Sequence, residues 1–200
     1  MVLPTDTLYG VAADAFNPGG TARIFAAKER ARSLPLPVLV RSPKQLPGIC
    51  PTLPSGADEL LAAYWPGPLT IVVPAQQGLR WDIGDNQGTV AVRMPLDDIA
   101  LEVIRAVGPL AVTGANRSGL PLPTTVAEAR EQLGGSVRHY LDDGPRSVQR
   151  MSTIVDLTRR TPQVLREGVI PEEDVLAVAA GQLEPLDAAA RLEERQGGDG

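Results

Sequence analysis

The sequence is poor in residues that carry several familiar chemistries. Among its 200 residues are one cysteine, Cys50, and one histidine, His139. A single cysteine excludes an internal disulfide, and a single histidine argues against a His-based metal site or a Ser-His-Asp triad. We expect Cys50 to be structural and His139, in the alternating segment 137–141, to lie on a strand.

Long apolar runs, aromatic side chains and positive charge are also scarce. No run of about 18 apolar residues occurs and no signal peptide precedes the first motif, so we predict no membrane span and a cytoplasmic location. Aromatic residues make up only 4% of the chain, which leaves the core to aliphatic side chains. The formal net charge of −5 argues against a surface that coats nucleic acid, but it is compatible with a local basic cleft.

What the sequence does contain predicts one α/β domain. Apolar residues make up 43% of the chain, enough for a full core, and 20 glycines and 19 prolines indicate many turns. Strands alternate with helices, and a late hairpin of 153–157 with 163–165 makes the sheet mixed, flanked by helices. We expect a single domain over 1–181 and a polar, disordered tail over 182–200.

Helix-start signals recur along the chain. Asp97 is expected to cap a helix that Gly108 ends, and Thr125 with Glu128 forms a capping box. Ser55 is predicted to start another helix in the same way. A last helix is expected over 171–180, with proline in its first turn.

Polar residues near the start of the chain form the first candidate site. The stretch Pro4–Gly10 (Pro-Thr-Asp-Thr-Leu-Tyr-Gly) reads as the end of a strand that turns through a polar loop. Its hydroxyls and carboxylate are suited to meet a ligand, and Gly10 allows close backbone approach. The alternative is that one of Thr5, Asp6 and Thr7 merely caps a short helix.

Cations stand at two further points. Lys28 and Arg30 lie at a predicted helix C-terminus, where they either bind phosphate or only offset the helix dipole. Arg93 ends an otherwise apolar strand, so its guanidinium either reaches solvent or binds an anion such as a carboxylate.

Two loops complete the inventory. The glycine-flanked loop 114–119 can form an anion nest from backbone N–H groups, and it is not a Walker A loop. If 153–165 is a hairpin, Ser152 and Arg166 lie at the same edge of the sheet. Cations, hydroxyls and glycine loops suit a site that positions anionic substrates and stabilises a phosphoryl transition state without a covalent enzyme intermediate.

Taken together in order, these motifs resemble the YrdC-like threonylcarbamoyl-AMP synthases over about residues 2–170. The motifs are Pro4–Gly10, Lys28-Glu29-Arg30, Trp65-Pro66-Gly67-Pro68-Leu69-Thr70, Thr89–Pro95, Gly114–Gly119, Ser152–Asp156 and Leu165–Gly168. The resemblance implies a twisted sheet with a positively lined concave surface. It also implies a nucleotidyltransferase that makes threonylcarbamoyl-AMP and pyrophosphate from L-threonine, bicarbonate and ATP, for threonylcarbamoyladenosine in tRNA.

The same resemblance assigns roles to residues. It implies that Thr7, Tyr9, Arg93 and Ser152 bind threonine, with Arg93 taking the carboxylate, and that Thr5 and Asp6 only shape the turn. Lys28 and Arg30 would be catalytic and face the phosphates and the carbamate. The nucleotide would be held by Lys28 and Arg30 together with Thr89, Gly114, Asn116 and Arg166. Mg²⁺ is expected with ATP, without a dedicated carboxylate cage, and partner proteins would transfer the product to tRNA.

Several positions depart from the family pattern. Ala31 stands where proline usually follows Lys-x-Arg, and Leu34 and Leu39 stand where asparagine and histidine are frequent. Gly114 replaces a serine, which removes one hydroxyl expected near the nucleotide. Relatives also carry a helix and the beginning of a strand before Pro4, so the chain is short at its start. It leaves no room for a further C-terminal domain, so we expect the short, single-domain form.

Three alternatives remain open at this level. One is a related carbamoyl-adenylate chemistry on another acceptor, for which Gly114 and Leu39 leave room. The second is a non-catalytic module of the same fold that binds tRNA or another double-stranded RNA, against which the negative net charge weighs. The third is an inert paralogue that keeps the fold alone.

Overall fold

The computed structural model describes residues 1–146 and 151–197, which form a sheet with helices packed on it. The strands are β1 (Val2–Leu3), β2 (Gly10–Asp14), β3 (Val38–Leu39), β4 (Leu69–Pro74), β5 (Thr89–Arg93), β6 (Leu110–Gly114), β7 (Thr153–Asp156) and β8 (Gln163–Arg166). The helices are α1 (Pro18–Lys28), α2 (Ala57–Tyr64), α3 (Asp98–Val107), α4 (Val126–Leu133), α5 (Glu172–Ala179) and α6 (Pro185–Gly197). Short 3₁₀ helices cover Pro43–Gly48 and Gly134–Ser136.

The strands form a mixed sheet, as the sequence predicts. Their order is β1-β2-β6-β3-β5-β4-β7-β8. The pairs β3–β5 and β4–β7 are parallel, and the other neighbours are antiparallel. The predicted late hairpin is confirmed as β7–β8, in which Ile154 pairs with Arg166.

Alternation along the strands separates two hydrophobic clusters. The side chains on one face, for example those of Val38 and Val92, pack with helices such as α1 and α2 in the main core. On the opposite face, Leu39 and Leu110 pack with Ala100 of α3 in a second cluster. Because successive side chains of a strand point to opposite faces, β1, β2, β3 and β6 each supply both clusters.

The half of the sheet formed by β5, β4, β7 and β8 presents one incompletely covered face. Along β5, Val90 and Val92 are buried in the main core, while Thr89 and Ala91 between them are half-buried. Val72 of β4 and Ile154 of β7 are likewise half-buried between fully buried neighbours. We call the face that carries Thr89, Ala91, Val72 and Ile154 the open face.

Two of the three predicted helix starts are confirmed, and one is wrong. The Asp97 side chain accepts from the Ala100 N–H at 2.9 Å, and both bonds of the Thr125 capping box are present. At α2 the N-cap is Gly56, with φ of 79°, and Ser55 does not cap. A side chain at Gly56 would lie 2.5 Å from the Ala179 carbonyl oxygen, so close packing against the end of α5 determines this start.

The predicted disordered tail is wrong for Pro185–Gly197, which forms α6. Ala188 is 1% exposed, and Leu192, one turn later, packs against the main core. Arg191 adds a 3.3 Å contact to the buried carboxylate of Asp174. Ala188 and Leu192, four residues apart on one side of the helix, are enough to dock a helix whose sequence is otherwise polar. Residues 198–200 lie outside the described residues.

One strand was missed, and one other prediction needs correction. Strand β2 was not predicted from the sequence; Gly10–Asp14 pairs with both β1 and β6, so its order comes from tertiary pairing. His139 is exposed and not on a strand, because only Tyr140 makes an isolated bridge, to Val2. No helix among the described residues is both long and apolar enough to cross a membrane.

Candidate functional site

The loop between β1 and β2 is a tight polar turn. Thr5 Oγ1 accepts from the N–H groups of Thr7 at 3.3 Å and Leu8 at 3.2 Å, and it donates to the Leu8 carbonyl at 2.6 Å. The prediction that Thr5 shapes the turn is therefore confirmed. Gly10 follows at a close approach, where an added Cβ would lie 2.6 Å from Val112 Cγ1.

Arg93 joins this loop to the end of β5. The side chain is buried, and its Nε donates to the Gly67 carbonyl at 2.9 Å, one Nη to Thr7 Oγ1 at 3.1 Å and the other to Asp6 Oδ1 at 2.6 Å. Asp6 also accepts from the Leu96 N–H at 3.1 Å. The prediction that Asp6 only shapes the turn is wrong, because its carboxylate orients and neutralises a buried guanidinium.

The bonding of Arg93 leaves part of its guanidinium available. A guanidinium has five N–H donors, of which these three contacts use three, so among the described residues one N–H on each terminal nitrogen has no acceptor. Two N–H bonds on a planar fork match the geometry of a carboxylate. Arg93 therefore does not reach solvent: it binds the Asp6 carboxylate and keeps two N–H groups beyond the bonds that the fold uses.

A second arginine, Arg166, lies on the same face at the end of β8, three strands from β5 in the sheet. Arg166 Nε and one Nη donate to the Ser152 carbonyl at 3.1 and 2.8 Å, and that Nη also reaches Ser152 Oγ at 3.2 Å. Burial, and secondarily the charge of Arg93, lowers the pKa of Arg166. The hairpin thus brings Ser152 and Arg166 together as predicted and places two guanidinium charges within electrostatic reach of each other.

Thr70 completes this cluster, and the sequence analysis missed it. Its Oγ1 lies 2.8 Å from Ser152 Oγ, and both residues are buried. The signal was a hydroxyl within an otherwise apolar strand, Leu69–Val73. We call Asp6, Thr7, Thr70, Arg93, Ser152 and Arg166 the arginine cluster.

Lys28 forms a separate site at the end of α1. Its Nζ donates to the carbonyls of Gly114 and Asn116 and to Asn116 Oδ1, the last at 2.9 Å. The side chain is 2% exposed, and burial, with a smaller contribution from the Arg30 charge, lowers the Lys28 pKa to about 8. The Ser118 N–H donates to the Lys28 carbonyl at 2.9 Å, so the loop 114–119 and the helix end hold each other.

Arg30 lies beside Lys28 and is only partly used by the fold. Its Nε donates to the Leu34 carbonyl at 2.8 Å and one Nη to the Pro35 carbonyl at 3.1 Å, and burial lowers its pKa. At Gly114, an added Cβ would lie 2.5 Å from Leu122 Cδ2, so a leucine side chain fills the space beside this glycine. We call Lys28, Arg30, Gly114 and Asn116 the lysine cluster.

Tyr9, which the resemblance assigns to threonine binding, is held by contacts within the fold. Its side chain is fully buried, its hydroxyl donates to the Gly144 carbonyl at 2.7 Å, and it accepts from the Asp143 N–H at 3.0 Å. The Arg146 guanidinium lies 5.4 Å from its ring centre. Tyr9 therefore anchors segment 142–146, because a buried phenol needs hydrogen-bond partners and finds them there.

Thr89 joins neither cluster by hydrogen bonds. Its hydroxyl donates to the Asn86 carbonyl at 2.9 Å at the beginning of β5. Four residues of strand place Thr89 roughly 13 Å from Arg93, on the same face. The open face is thus long enough to accommodate two substrates, or one extended substrate, between these residues.

Both clusters offer donors rather than nucleophiles. Guanidinium, ammonium, hydroxyl and backbone N–H groups are the groups that hold carboxylates and phosphates. Fold and site together define an α/β protein with a mixed sheet and two clusters of donors suited to carboxylates and phosphates.

Comparison with known proteins gives the family. The Sua5/YciO/YrdC family model, described as "Telomere recombination", matches residues 1–168. A Mycobacterium tuberculosis protein provisionally named threonylcarbamoyl-AMP synthase is 49% identical over 186 residues, covering 92% of this chain and 86% of that protein. The Pyrococcus abyssi threonylcarbamoyl-AMP synthase is 37% identical over 88% of this chain, which spans 52% of that longer protein.

A solved structure agrees with these sequence matches. Pyrococcus abyssi Sua5 complexed with L-threonine superposes with a TM-score of 0.85 at 36% identity, over 92% of this chain and 54% of that chain. The chain belongs to the Sua5/YciO/YrdC family. Its predicted YrdC-like fold is confirmed.

Proposed function

We propose that this chain is a threonylcarbamoyl-AMP synthase, which converts L-threonine, bicarbonate and ATP into threonylcarbamoyl-AMP and pyrophosphate. The observation that carries the proposal is Arg93, a buried guanidinium that keeps two N–H groups beyond its bonds to Gly67, Thr7 and Asp6. The arginine cluster around it combines a receptor for a carboxylate with hydroxyl groups. The relatives that match most of the chain carry the name of this enzyme.

In this proposal threonine occupies the arginine cluster. Arg93 takes its carboxylate through the two remaining N–H bonds, and Thr7 fixes the guanidinium plane. The hydroxyls of Ser152 and Thr70 face the rest of the amino acid. Arg166 supplies a second positive charge where the carbamate and the α-phosphate meet. Burial and the Arg93 charge lower the pKa of Arg166, so a bound anion would stabilise its charged form.

ATP occupies the lysine cluster and extends over the open face toward Thr89. Lys28 and Arg30 face its phosphates, and Asn116 and the backbone at Gly114 hold the nucleotide. In the structure the Lys28 ammonium donates to three oxygen acceptors. Triphosphate binding exchanges some of these oxygens for phosphate oxygens, which favours the charged ammonium.

The chemistry then needs no enzyme nucleophile. The threonine amine attacks bicarbonate, a C–N bond forms and water leaves, which gives the carbamate. A carbamate oxygen attacks the α-phosphorus of ATP, a P–O bond forms, the bond to the oxygen bridging the β-phosphate breaks and pyrophosphate leaves. The protein holds the reactants in line and neutralises charge that builds up on phosphate oxygens.

Mg²⁺ enters this scheme as part of the substrate, bound to the triphosphate of ATP. Among the described residues, no group of three or more His, Cys, Asp or Glu side chains is placed to hold a metal ion. The product would pass to partner proteins that transfer the threonylcarbamoyl group to tRNA, since an acyl adenylate is a reactive intermediate rather than an end product.

Pyrophosphate release from ATP tests the proposal. Release should require both threonine and bicarbonate, and it should stop when either is left out of carbon dioxide-depleted buffer. Arg93→Lys should lose most of the threonine-dependent pyrophosphate release. Arg105→Gln, which removes an exposed arginine paired with Glu102, should behave as wild type. Pyrophosphate release that is indifferent to threonine would refute the assignment.

A further inference from the structure

Ile154 is an apolar residue that lies among the polar residues of the arginine cluster. Register places Ile154 opposite Thr70 on one side and opposite Arg166 on the other. In β4–β5 the pairing of Ile71 with Val92 puts Thr70 beside Arg93 in the same row. Arg93, Thr70, Ile154 and Arg166 therefore form one row across four neighbouring strands, with their side chains on the open face.

This row has an apolar member between polar ones. Neighbouring strands are about 4.8 Å apart, so the Ile154 side chain stands about 5 Å from Thr70 and from Arg166 and about 10 Å from Arg93. Thr153 and Val155 on either side of Ile154 are fully buried, whereas Ile154 is half-buried. Its branched side chain thus presents apolar surface beside the Thr70–Ser152 hydroxyl pair.

We propose that Ile154 is a specificity-determining residue that receives the methyl group of threonine, while the Thr70–Ser152 hydroxyl pair receives its hydroxyl. The inference rests on the proposed function. Threonine carries a hydroxyl and a methyl on its β-carbon, and the row offers matching surfaces for both at the distance from Arg93 that an amino acid spans. Serine lacks only the methyl, so Ile154 discriminates threonine from serine.

The size of the effect follows from the burial of one methyl group. A hydrophobic contact of this kind distinguishes substrates that differ by one methylene by about 10- to 200-fold in kcat/KM. A single, half-buried contact surface belongs at the lower end of this range. We expect Ile154→Ala to reduce the preference for threonine over serine by about tenfold.

The test compares kcat/KM for L-threonine and L-serine in the pyrophosphate assay. In Ile154→Ala the value for threonine should fall, mainly through a higher KM, while the value for serine stays nearly constant. Ile154→Val, which removes one methylene, should give an intermediate ratio. Val164→Ala is the matched control, because Val164 is a half-buried β-branched residue of the neighbouring strand β8 that packs against the main core, on the opposite face.

A second variant separates specificity from folding. Thr70→Val keeps the shape but removes the hydroxyl that contacts Ser152, so it should weaken threonine and serine alike and leave their ratio unchanged. An unchanged threonine-to-serine ratio in both Ile154 variants, with wild-type melting temperatures, would overturn the inference and leave the proposed function standing. Wild-type protein that releases no pyrophosphate in response to threonine would instead overturn the proposed function.

Discussion

Replacing Arg93 by lysine separates the charge of this residue from its geometry. Arginine makes three contacts at once, to Gly67, Thr7 and Asp6, and keeps a fork for an incoming carboxylate. Lysine keeps the positive charge opposite Asp6, but its single ammonium cannot satisfy these acceptors and a bidentate carboxylate together. Arg93→Lys should therefore fold and fail selectively on the threonine side.

The expected magnitude comes from one charged hydrogen bond. Bonds to charged groups contribute about 1.5–3 kcal/mol, and about 1.4 kcal/mol corresponds to a factor of ten. Loss of one of the two N–H bonds to the carboxylate should raise the threonine KM by about 10- to 100-fold. The KM for ATP should change by less than about threefold, because Lys28 and Arg30 lie in the other cluster.

Arg93→Met provides the matched structural comparison. It leaves the Asp6 carboxylate, whose side chain is 12% exposed, without its counter-ion. Breaking such a buried pair from one side costs about 3–5 kcal/mol of the free energy of unfolding, measurable by urea titration. A wild-type threonine KM in Arg93→Lys, or equal losses for threonine and ATP, would refute the assignment of Arg93 as the carboxylate receptor.

Three further predictions concern other parts of the molecule. Burial lowers the Lys28 pKa to about 8, so the ammonium loses its proton as pH rises through that value and ATP affinity should fall above about pH 8. Lys28→Gln should bind ATP weakly at every pH and show no such inflection. Tyr9→Phe should lower the free energy of unfolding by about 1 kcal/mol through its lost hydrogen bonds, with no change in threonine KM; a raised KM would return Tyr9 to the binding site. Thr125→Ala should cost about 1 kcal/mol in urea unfolding by removing the α4 cap, at unchanged activity.

Local signals in the sequence were sufficient for much of the fold. Asp97 and Thr125 start their helices as predicted, because capping depends on residues within one turn. Strand β5 and the β7–β8 hairpin have the predicted strand and turn patterns, and the mixed α/β sheet follows from them. The order of the strands in that sheet was not specified by any of these local patterns.

Elements that depend on distant partners could not be predicted in the same way. Strand β2 is ordered by pairing with β1 and β6, and α2 begins at Gly56 because α5 passes too close for any side chain there. Helix α6 docks through few apolar residues, such as Ala188 and Leu192, which a polar composition conceals. In each case the deciding contact is made by residues far away in sequence.

The candidate site shows the same division. The meeting of Ser152 and Arg166 at one edge of the sheet was predictable, since it follows from the β7–β8 hairpin alone. The partnership of Asp6 with Arg93 required the loop to fold across the sheet. The burial of the Tyr9 ring beneath segment 142–146 depends on residues far away in the sequence, so the polar stretch around Tyr9 did not indicate it.

Direct detection of the product tests the central claim most sharply. The protein, incubated with ATP, L-threonine and carbon-13-labelled bicarbonate, should form an adenylate whose mass contains threonine, the labelled carbon and AMP, and the amount should match the pyrophosphate released. An adenylate without the labelled carbon, or pyrophosphate released with AMP alone, would contradict the proposal that the two clusters join a threonine-derived carbamate to the α-phosphate of ATP.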